Sequence, residues 1–246
     1  MKVYLTNLNE SWIVDRLRDE WYQHNTSISV DSIKQAEIIW IIAPWLWKKI
    51  KKKHLRDKKV VCSIYHLEDK DFEHKQIRDF KKRDSFVDVY HVISLKTKNE
   101  LEKLTDKEII YIPFWSDQLS WYEIKDKDSL RKKYNLPLDA YILGSFQRDT
   151  EGSDLKSPKL IKGPDRLVKI IEAKNRDSDK LVVLLSGKRR QYIIKELENL
   201  NINYKYFEMV ETDELNELYN CLDLYVVSSR IEGGPQAIIE CGLSKT

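Results

Sequence analysis

The chain has 246 residues, of which 41% are hydrophobic and 34% are charged, and its formal net charge is only +3. This length is enough for two modest α/β domains or one large domain with a buried core. The near balance of charge gives no global reason to expect nucleic-acid binding. No apolar run approaches the ~20 residues that a membrane-spanning helix needs.

Three cysteines, Cys62, Cys221 and Cys241, lie far apart and mostly in apolar stretches. The sequence contains neither a CxxC pair nor a Cys/His spacing typical of zinc sites. It therefore predicts no disulfide framework and no bound metal. Scattered cysteines are typical of a reducing compartment, and the N-terminal residues lack the apolar core of a signal peptide. A cytoplasmic location is therefore expected.

The first half of the chain alternates between short apolar runs and amphipathic stretches, as in a parallel sheet with helices on both faces. Strands are predicted at Lys2–Leu5, Ile38–Ala43, Val60–Tyr65, Val87–Ser94 and Ile109–Ile112. Helices are predicted near residues 12–21, from about Trp45, at Phe72–Lys82 and at Thr97–Leu104. The alternation lapses between residues 114 and 137. A domain boundary is expected there, which gives domains 1–117 and 118–246.

The second half resumes the alternation. Strands are predicted at Tyr141–Phe146, Lys180–Leu185, Ile202–Phe207 and Leu224–Val227, and helices at Arg166–Ala173, Tyr192–Leu200 and Glu214–Cys221. All seven glycines lie at or after Gly144, so any glycine-rich phosphate-binding loop must belong to this half. The sequence therefore predicts an α/β protein of two Rossmann-like domains, with the ligand chemistry concentrated in the second.

The segment after the last predicted strand combines features of a ligand-binding turn. Gly233 and Gly234 allow a ligand to approach the backbone closely. Pro235 suits the first position of a helix, where its missing N–H costs nothing. Two glutamates, Glu232 and Glu240, lie on either side of this helix start with seven residues between them. Open α/β sheets bind ligands at the carboxyl ends of their strands, as this position would require.

Two α/β domains, a first half without glycine and this late Glu-x7-Glu element resemble the GT-B glycosyltransferases of family 4. These are retaining enzymes that use nucleotide-sugar donors. The resemblance implies that Glu232 binds hydroxyls of the transferred sugar and that Glu240 binds the ribose. It also implies that the backbone at Gly233, Gly234 and the helix start at Pro235 faces the distal phosphate. A helix N-terminus independently favours an anion, because its dipole and its free N–H groups point outward.

The family also has an arginine and a lysine on the donor diphosphate, after the first strand of the C-terminal domain. The segments Gly144-Ser145-Phe146-Gln147-Arg148 and Lys162-Gly163-Pro164-Asp165 match those positions. The resemblance therefore assigns Gly144, Ser145, Arg148 and Lys162 to the donor. Two cations can stabilise a departing nucleoside diphosphate without a metal. Thirteen residues separate Arg148 from Lys162, more than is usual in the family.

Two further residues follow predicted strands. His66 follows the strand that ends at Tyr65, where such enzymes carry a histidine near the reacting sugar. A histidine hydrogen-bonded within its own loop explains it equally well. Lys188, in Ser186-Gly187-Lys188, does not complete a P-loop, because no glycine stands five residues before Gly187. A turn at the end of a strand beside the ligand cleft explains Lys188 better, and a secondary contact with phosphate stays open.

A basic segment, Trp45–Lys59, has two interpretations. From Lys48 to Lys59 it carries eight Lys and Arg residues against one Asp, or +7. It is either a solvated helix face or an anchor on anionic lipid, with Trp45, Leu46 and Trp47 as an apolar wedge. The second interpretation fits the lipid-linked acceptors of related enzymes and predicts a peripheral protein at the inner face of a membrane. No nucleic-acid motif accompanies the segment.

The sequence thus predicts a metal-independent hexosyltransferase with a nucleotide-sugar donor and no separate cofactor. The acceptor is expected to be a glycan or a lipid-linked molecule bound against the N-terminal domain. The resemblance implies retention at the anomeric carbon. A nucleotide-sugar epimerase of the same fold and a non-catalytic binding protein stay open as alternatives. Because the chain stops at Thr246, soon after the donor helix, the C-terminal domain is expected to be truncated.

Overall fold

The computed structural model describes residues 1–7, 13–67, 74–177 and 180–246. These residues form two compact units, Met1–Trp115 and Ser116–Thr246. The division falls inside the stretch 114–137, where the predicted alternation of strands and helices lapses.

The N-terminal unit is built on a parallel sheet whose described strands are adjacent in chain order. The strands are β1 Val3–Leu5, β2 Ile38–Ile41, β3 Lys59–Ile64, β4 Val89–Val92 and β5 Glu108–Tyr111. The helices are α1 Ile13–His24, α2 Lys52–Asp57, α3 His74–Asp84 and α4 Leu95–Leu101. In β2, Ile39 and Ile41 are fully buried in the core, whereas Ile38 and Trp40 are partly exposed, as the period of two in a strand requires.

The basic segment does not form the single helix that was predicted from about Trp45. It contains a 3₁₀ helix, Pro44–Lys49, then an extended residue, Ile50, and then the short helix α2. Leu46 and Trp47 are only 1% and 8% exposed, because they fill the core beneath the sheet. The predicted apolar wedge is therefore reduced to Trp45, which is 46% exposed.

The C-terminal unit has a second parallel sheet in the order β8-β7-β6-β9. Its strands are β6 Tyr141–Ser145, β7 Leu181–Ser186, β8 Asn203–Phe207 and β9 Leu224–Tyr225. Its helices are α5 Lys127–Lys133, α6 Pro164–Arg176, α7 Gln191–Asn199, α8 Thr212–Asn220 and α9 Gln236–Leu243. The prediction of an α/β protein with parallel sheets is confirmed.

Both faces of this second sheet are buried. Ile142 faces a core shared with α8, whereas the next residue, Leu143, faces a core shared with α6 and α7. Strands buried on both faces are near-continuous apolar runs, and the segment Leu181–Leu185 is such a run, with every residue buried. The hydrophobic pattern thus fixes β7 as a central strand.

The strand order reverses at β6. From β6 the chain moves to β7 and β8 on one side and later returns to add β9 on the other side, with Gly144 opposite Tyr225. In open α/β sheets, ligands bind in the crevice outside the carboxyl ends of the strands, at a position where the strand order reverses. The loops after β6 and β9 are therefore the physical starting point for a site.

In the described part of the chain, no helix is both long enough and apolar enough to cross a bilayer.

Candidate functional site

The loops after β6 and β9 meet at Gly163 and Ser228. Gly163 has φ +62°, and a Cβ atom on it would lie 2.0 Å from the carbonyl oxygen of Ser228. A glycine is needed here for two reasons: the left-handed backbone conformation and the close approach of the second backbone. This contact brings Lys162, next to Gly163 in the chain, towards the glutamate segment.

Lys162 and Glu232 form an ion pair, with 2.6 Å between Nζ and Oε1. The same carboxylate oxygen accepts a hydrogen bond of 2.7 Å from the Ser229 hydroxyl. Lys162 and Glu232 keep 29% and 22% of their side-chain area exposed. Both groups are therefore held in place and remain open to a ligand from solvent.

Gln147 links the two loops behind this pair. Its amide nitrogen donates to the carbonyl oxygen of Lys162 at 2.9 Å and to the Ser228 hydroxyl at 2.8 Å. The amide oxygen of Gln147 lies 3.1 Å from the Ser229 hydroxyl. The site residues predicted from the sequence do not include Gln147, Ser228 or Ser229. Their signal was present, since all three are polar residues that directly follow predicted strands.

Arg148 is exposed, and no ion pair joins it to another described residue. The next residue, Asp149, is buried against the fully buried Arg190, with 3.3 Å between Oδ2 and Nε. Asp149 also accepts a hydrogen bond from the backbone of Tyr192 at 3.2 Å. Burial raises the pKa of Asp149 to about 6, although Arg190 opposes this shift. The pair anchors the loop that carries Arg148 to the turn before α7.

Glu240 has a different environment from Glu232. It is only 4% exposed, and its carboxylate accepts a hydrogen bond of 2.8 Å from the hydroxyl of Tyr219. Tyr219 is itself 2% exposed, and burial raises the pKa of its phenol well above the usual value. Tyr219 is therefore a neutral donor that fixes Glu240 against α8. The contact of Glu240 with a ribose stays a prediction.

Gly233, Gly234 and Pro235 are partly exposed and precede α9. Pro235 is the N-cap residue, so the helix begins one residue later than predicted, at Gln236. The first N–H groups of α9 have no carbonyl partner within the helix, and they add to the positive end of its dipole. This end of α9 is therefore suited to an anion.

Gly144 and Ser145 are buried inside β6. A Cβ atom on Gly144 would lie 2.3 Å from Cδ1 of Leu222, so close packing accounts for this glycine. Lys188 is exposed and follows Gly187 at the end of β7. His66 is exposed in the N-terminal unit, two residues after β3, and its role near a sugar stays a prediction.

No group of three or more His, Cys, Asp and Glu side chains among residues 1–7, 13–67, 74–177 and 180–246 is arranged to hold a metal ion. The segment Asp69-Lys70-Asp71 has the DxD pattern of carboxylates that can bind a divalent metal, and it lies outside the described residues.

No family model and no curated protein matches this chain. Solved structures do match. HepE from Anabaena in complex with UDP gives a TM-score of 0.75 at 13% identity, over 99% of this chain and 79% of HepE. Sucrose-phosphate synthase from Thermosynechococcus elongatus gives 0.65 at 16% identity, over 96% of this chain and 61% of the synthase. The chain has the GT-B fold.

A third match agrees with this assignment. TarM from S. aureus, solved with UDP, gives a TM-score of 0.57 at 18% identity, over 85% of this chain and 40% of TarM. Identities this low establish the GT-B fold alone.

Proposed function

We propose that the protein is a glycosyltransferase that takes a sugar from a nucleotide-sugar donor bound at the carboxyl edge of the second sheet. The observation that carries the proposal is the Lys162–Glu232 pair at the strand-order reversal of a GT-B fold. HepE, which has a similar fold, was solved with UDP and with UDP-glucose. The donor class is proposed for this chain on that basis.

The site supports a division of roles along the donor. Lys162 and Arg148 would neutralise the diphosphate, and the N-terminus of α9 would add backbone N–H donors. Glu232 would accept hydrogen bonds from hydroxyls of the sugar. Without a donor, Lys162 and Glu232 neutralise each other. Donor binding then requires each group to exchange its partner for a ligand group of opposite character, the lysine for phosphate and the glutamate for sugar hydroxyls.

The expected chemistry is transfer with retention by attack on the same face from which the nucleoside diphosphate leaves. Negative charge develops on the diphosphate as the glycosidic bond breaks. Preorganised cations that face this charge lower the barrier more than they stabilise the bound donor. Lys162 and Arg148 would provide such charge without a metal ion, and Glu240 would fix the nucleoside through its ribose.

The acceptor is proposed to bind to the N-terminal unit, where the resemblance makes His66 a candidate contact. The basic segment adds a second proposal, an anionic membrane surface as partner. Lys48, Lys52 and Lys82 line a groove of about 400 Å³ together with Trp47 and Phe86. Among the described residues that line this groove, Asp79 is the one acidic side chain, and it forms an ion pair with Lys48. Such a surface would attract anionic headgroups chiefly by charge, since the apolar wedge is reduced to Trp45.

Liposome flotation tests the membrane proposal. Vesicles with anionic lipid should retain the protein at low salt and release it at high salt, whereas neutral vesicles should not bind it. A variant with Lys48, Lys52 and Lys82 changed to Gln should lose most of the binding. Equal binding of this variant and the wild type would contradict the role of the groove.

Turnover with a panel of UDP-, GDP- and dTDP-sugars tests the enzymatic proposal. Chromatography coupled to mass spectrometry separates three outcomes: a released nucleoside diphosphate with a transferred or hydrolysed sugar, an epimerised sugar nucleotide, or binding without reaction. Glu232→Gln should lower kcat/KM by roughly 100-fold or more, since it removes the charged acceptor for sugar hydroxyls. Glu172→Gln, on the outer part of α6, is the matched control. Full activity of Glu232→Gln would overturn the assignment.

A further inference from the structure

Arg230 makes a two-pronged ion pair with Asp165. Its Nη1 and Nη2 donate to Oδ1 and Oδ2 of Asp165 at 2.7 and 2.6 Å. Arg230 Nη1 also donates to the carbonyl oxygen of Leu160 at 2.7 Å, and its backbone N–H donates to Ile161 at 2.8 Å. Four hydrogen bonds thus join one residue of the loop after β9 to the segment between Leu160 and Asp165.

We call the Arg230–Asp165 ion pair the clamp. In both loops it lies next to the Lys162–Glu232 pair in the sequence. Arg230 stands two residues before Glu232, and Asp165 stands three residues after Lys162. The clamp therefore joins the same two loops as the ion pair of the site. It does so with side chains that the proposed donor contacts leave unused.

The chemistry of the clamp makes it persistent. The planar guanidinium matches both oxygens of a carboxylate, and such paired, charge-assisted bonds are stronger and more directional than single ones. Asp165 lies in the first turn of α6, where the helix dipole favours a negative charge. The hydrogen bonds from Arg230 lower the pKa of Asp165, so this carboxylate stays ionised across the physiological pH range.

Binding of the proposed donor would remove the contact between Lys162 and Glu232 but not the clamp. Lys162 and Glu232 hold the two loops together only while they hold each other, and both would turn to the donor when it binds. We propose that Arg230 and Asp165 are positioning residues, which keep the two loops in register both in the free protein, where Lys162 pairs with Glu232, and while these two residues exchange each other for the donor. This inference rests on the proposed function of the same site.

The clamp is tested by substitutions that keep the charge or the size of a side chain but remove the paired hydrogen bonds between Arg230 and Asp165. Arg230→Lys and Asp165→Asn should each raise the dissociation constant of UDP-glucose, the probe, by about tenfold and lower kcat. The same changes made in a Lys162→Ala background should cost less than about twofold, because the clamp then has no lysine to position. An equal loss in both backgrounds would overturn the proposal, since it would indicate general damage to the fold. Arg176→Ala, at the other end of α6, is the control.

A second measurement does not depend on any donor. Trace acylation followed by peptide mass spectrometry reports the reactivity of the Lys162 amine, which is limited in the wild type by its pairing with Glu232. Arg230→Lys and Asp165→Asn should raise this reactivity severalfold relative to Lys180, which pairs with Asp139 elsewhere. Unchanged reactivity of Lys162 would overturn the clamp. Failure of every sugar nucleotide to bind the wild type would instead overturn the proposed function.

Discussion

At the scale of single residues, two glutamates of one short motif have acquired different environments. Glu232 is partly exposed and held by Lys162 and Ser229, whereas Glu240 is buried and held by Tyr219. A partly exposed carboxylate can exchange its partners for ligand groups. A buried one depends on its hydrogen bonds to offset the loss of hydration. The motif spacing alone therefore does not show that the two carboxylates differ in burial and in their dependence on hydrogen bonds.

Tyr219→Phe should destabilise the C-terminal unit by about 1–3 kcal/mol, because the buried Glu240 carboxylate loses a hydrogen-bond donor while the ring stays packed. Urea denaturation of the two proteins measures the difference. Tyr204→Phe is a matched control, since its hydroxyl bonds to Glu198 on the surface. A loss for Tyr219→Phe no larger than for Tyr204→Phe would show that Glu240 does not need this donor.

At the scale of elements, the site depends on how β6 and β9 are joined. β9 has only two residues, Leu224 and Tyr225, so its own ladder bonds are few. Asp223 strengthens the start of this strand. Its carboxylate accepts from the backbone of Ile142 at 2.7 Å and pairs with Arg131 at 2.6 Å and with Lys127 at 2.8 Å. These contacts hold β9, and with it the glutamate loop, beside β6.

Asp223 should make the stability of this unit depend on pH in acid. Desolvation opposes ionisation of Asp223, but the hydrogen bonds from Ile142, Lys127 and Arg131 outweigh it and lower the pKa. The ionised form is favoured in the folded state. Its contribution is therefore complete above the ordinary aspartate pKa of about 3.9 of the unfolded chain and is lost as pH falls through the lower pKa of the folded state. Denaturation midpoints from pH 7 to pH 2.5 should fall less steeply in acid for Asp223→Asn than for the wild type. Parallel curves would contradict this role.

Gly163→Ala should be markedly worse than Gly152→Ala. Both glycines have positive φ, +62° and +71°, so either substitution costs about 1 kcal/mol of backbone strain. At Gly163 the new methyl also meets the Ser228 carbonyl at 2.0 Å, whereas at Gly152 its nearest neighbour is 3.3 Å away. We expect Gly163→Ala to lose more than about 2 kcal/mol and to weaken donor binding, as measured by denaturation and titration. Similar losses at both positions would show that the loops can separate without cost.

At the scale of the whole molecule, the candidate donor site lies within one of the two units, the C-terminal one. The C-terminal unit contains the strand-order reversal, the positively charged side chains of Arg148 and Lys162, and both motif glutamates. The N-terminal sheet keeps its described strands in chain order and therefore has no such reversal. The proposed donor and the proposed acceptor therefore need separate measurements, and the described geometry supports the more specific prediction for the donor.

UDP-glucose should raise the melting temperature in a concentration-dependent way. A ligand that binds only the folded protein adds about 2.7 kcal/mol at one hundred times its dissociation constant, which corresponds to a shift of several degrees. Uridine should give little shift, because it lacks the diphosphate that Lys162 and Arg148 are proposed to bind. Lys162→Ala should shrink the shift for UDP-glucose. Equal shifts for uridine and UDP-glucose would contradict recognition of the diphosphate.

The sequence by itself determined the α/β class and the parallel strands, and it predicted the region of the candidate site. These follow from local patterns: apolar runs of strand length, amphipathic stretches between them and the confinement of glycine to the second half. It did not determine the short 3₁₀ piece at Pro44–Lys49, because burial of Leu46 and Trp47 depends on the sheet beneath them.

Tertiary structure alone decided the order of the strands and therefore which side chains contact each other. Gln147 and Lys162 are far from Ser229 and Glu232 in the chain, and no periodicity shows that these side chains meet. Their meeting depends on the pairing of β6 with β9, which is a non-local choice made by packing of the whole sheet. The resemblance to a known family pointed to Lys162 and Glu232 before their contact was known. The clamp of Arg230 and Asp165 became visible only once the two loops were in contact.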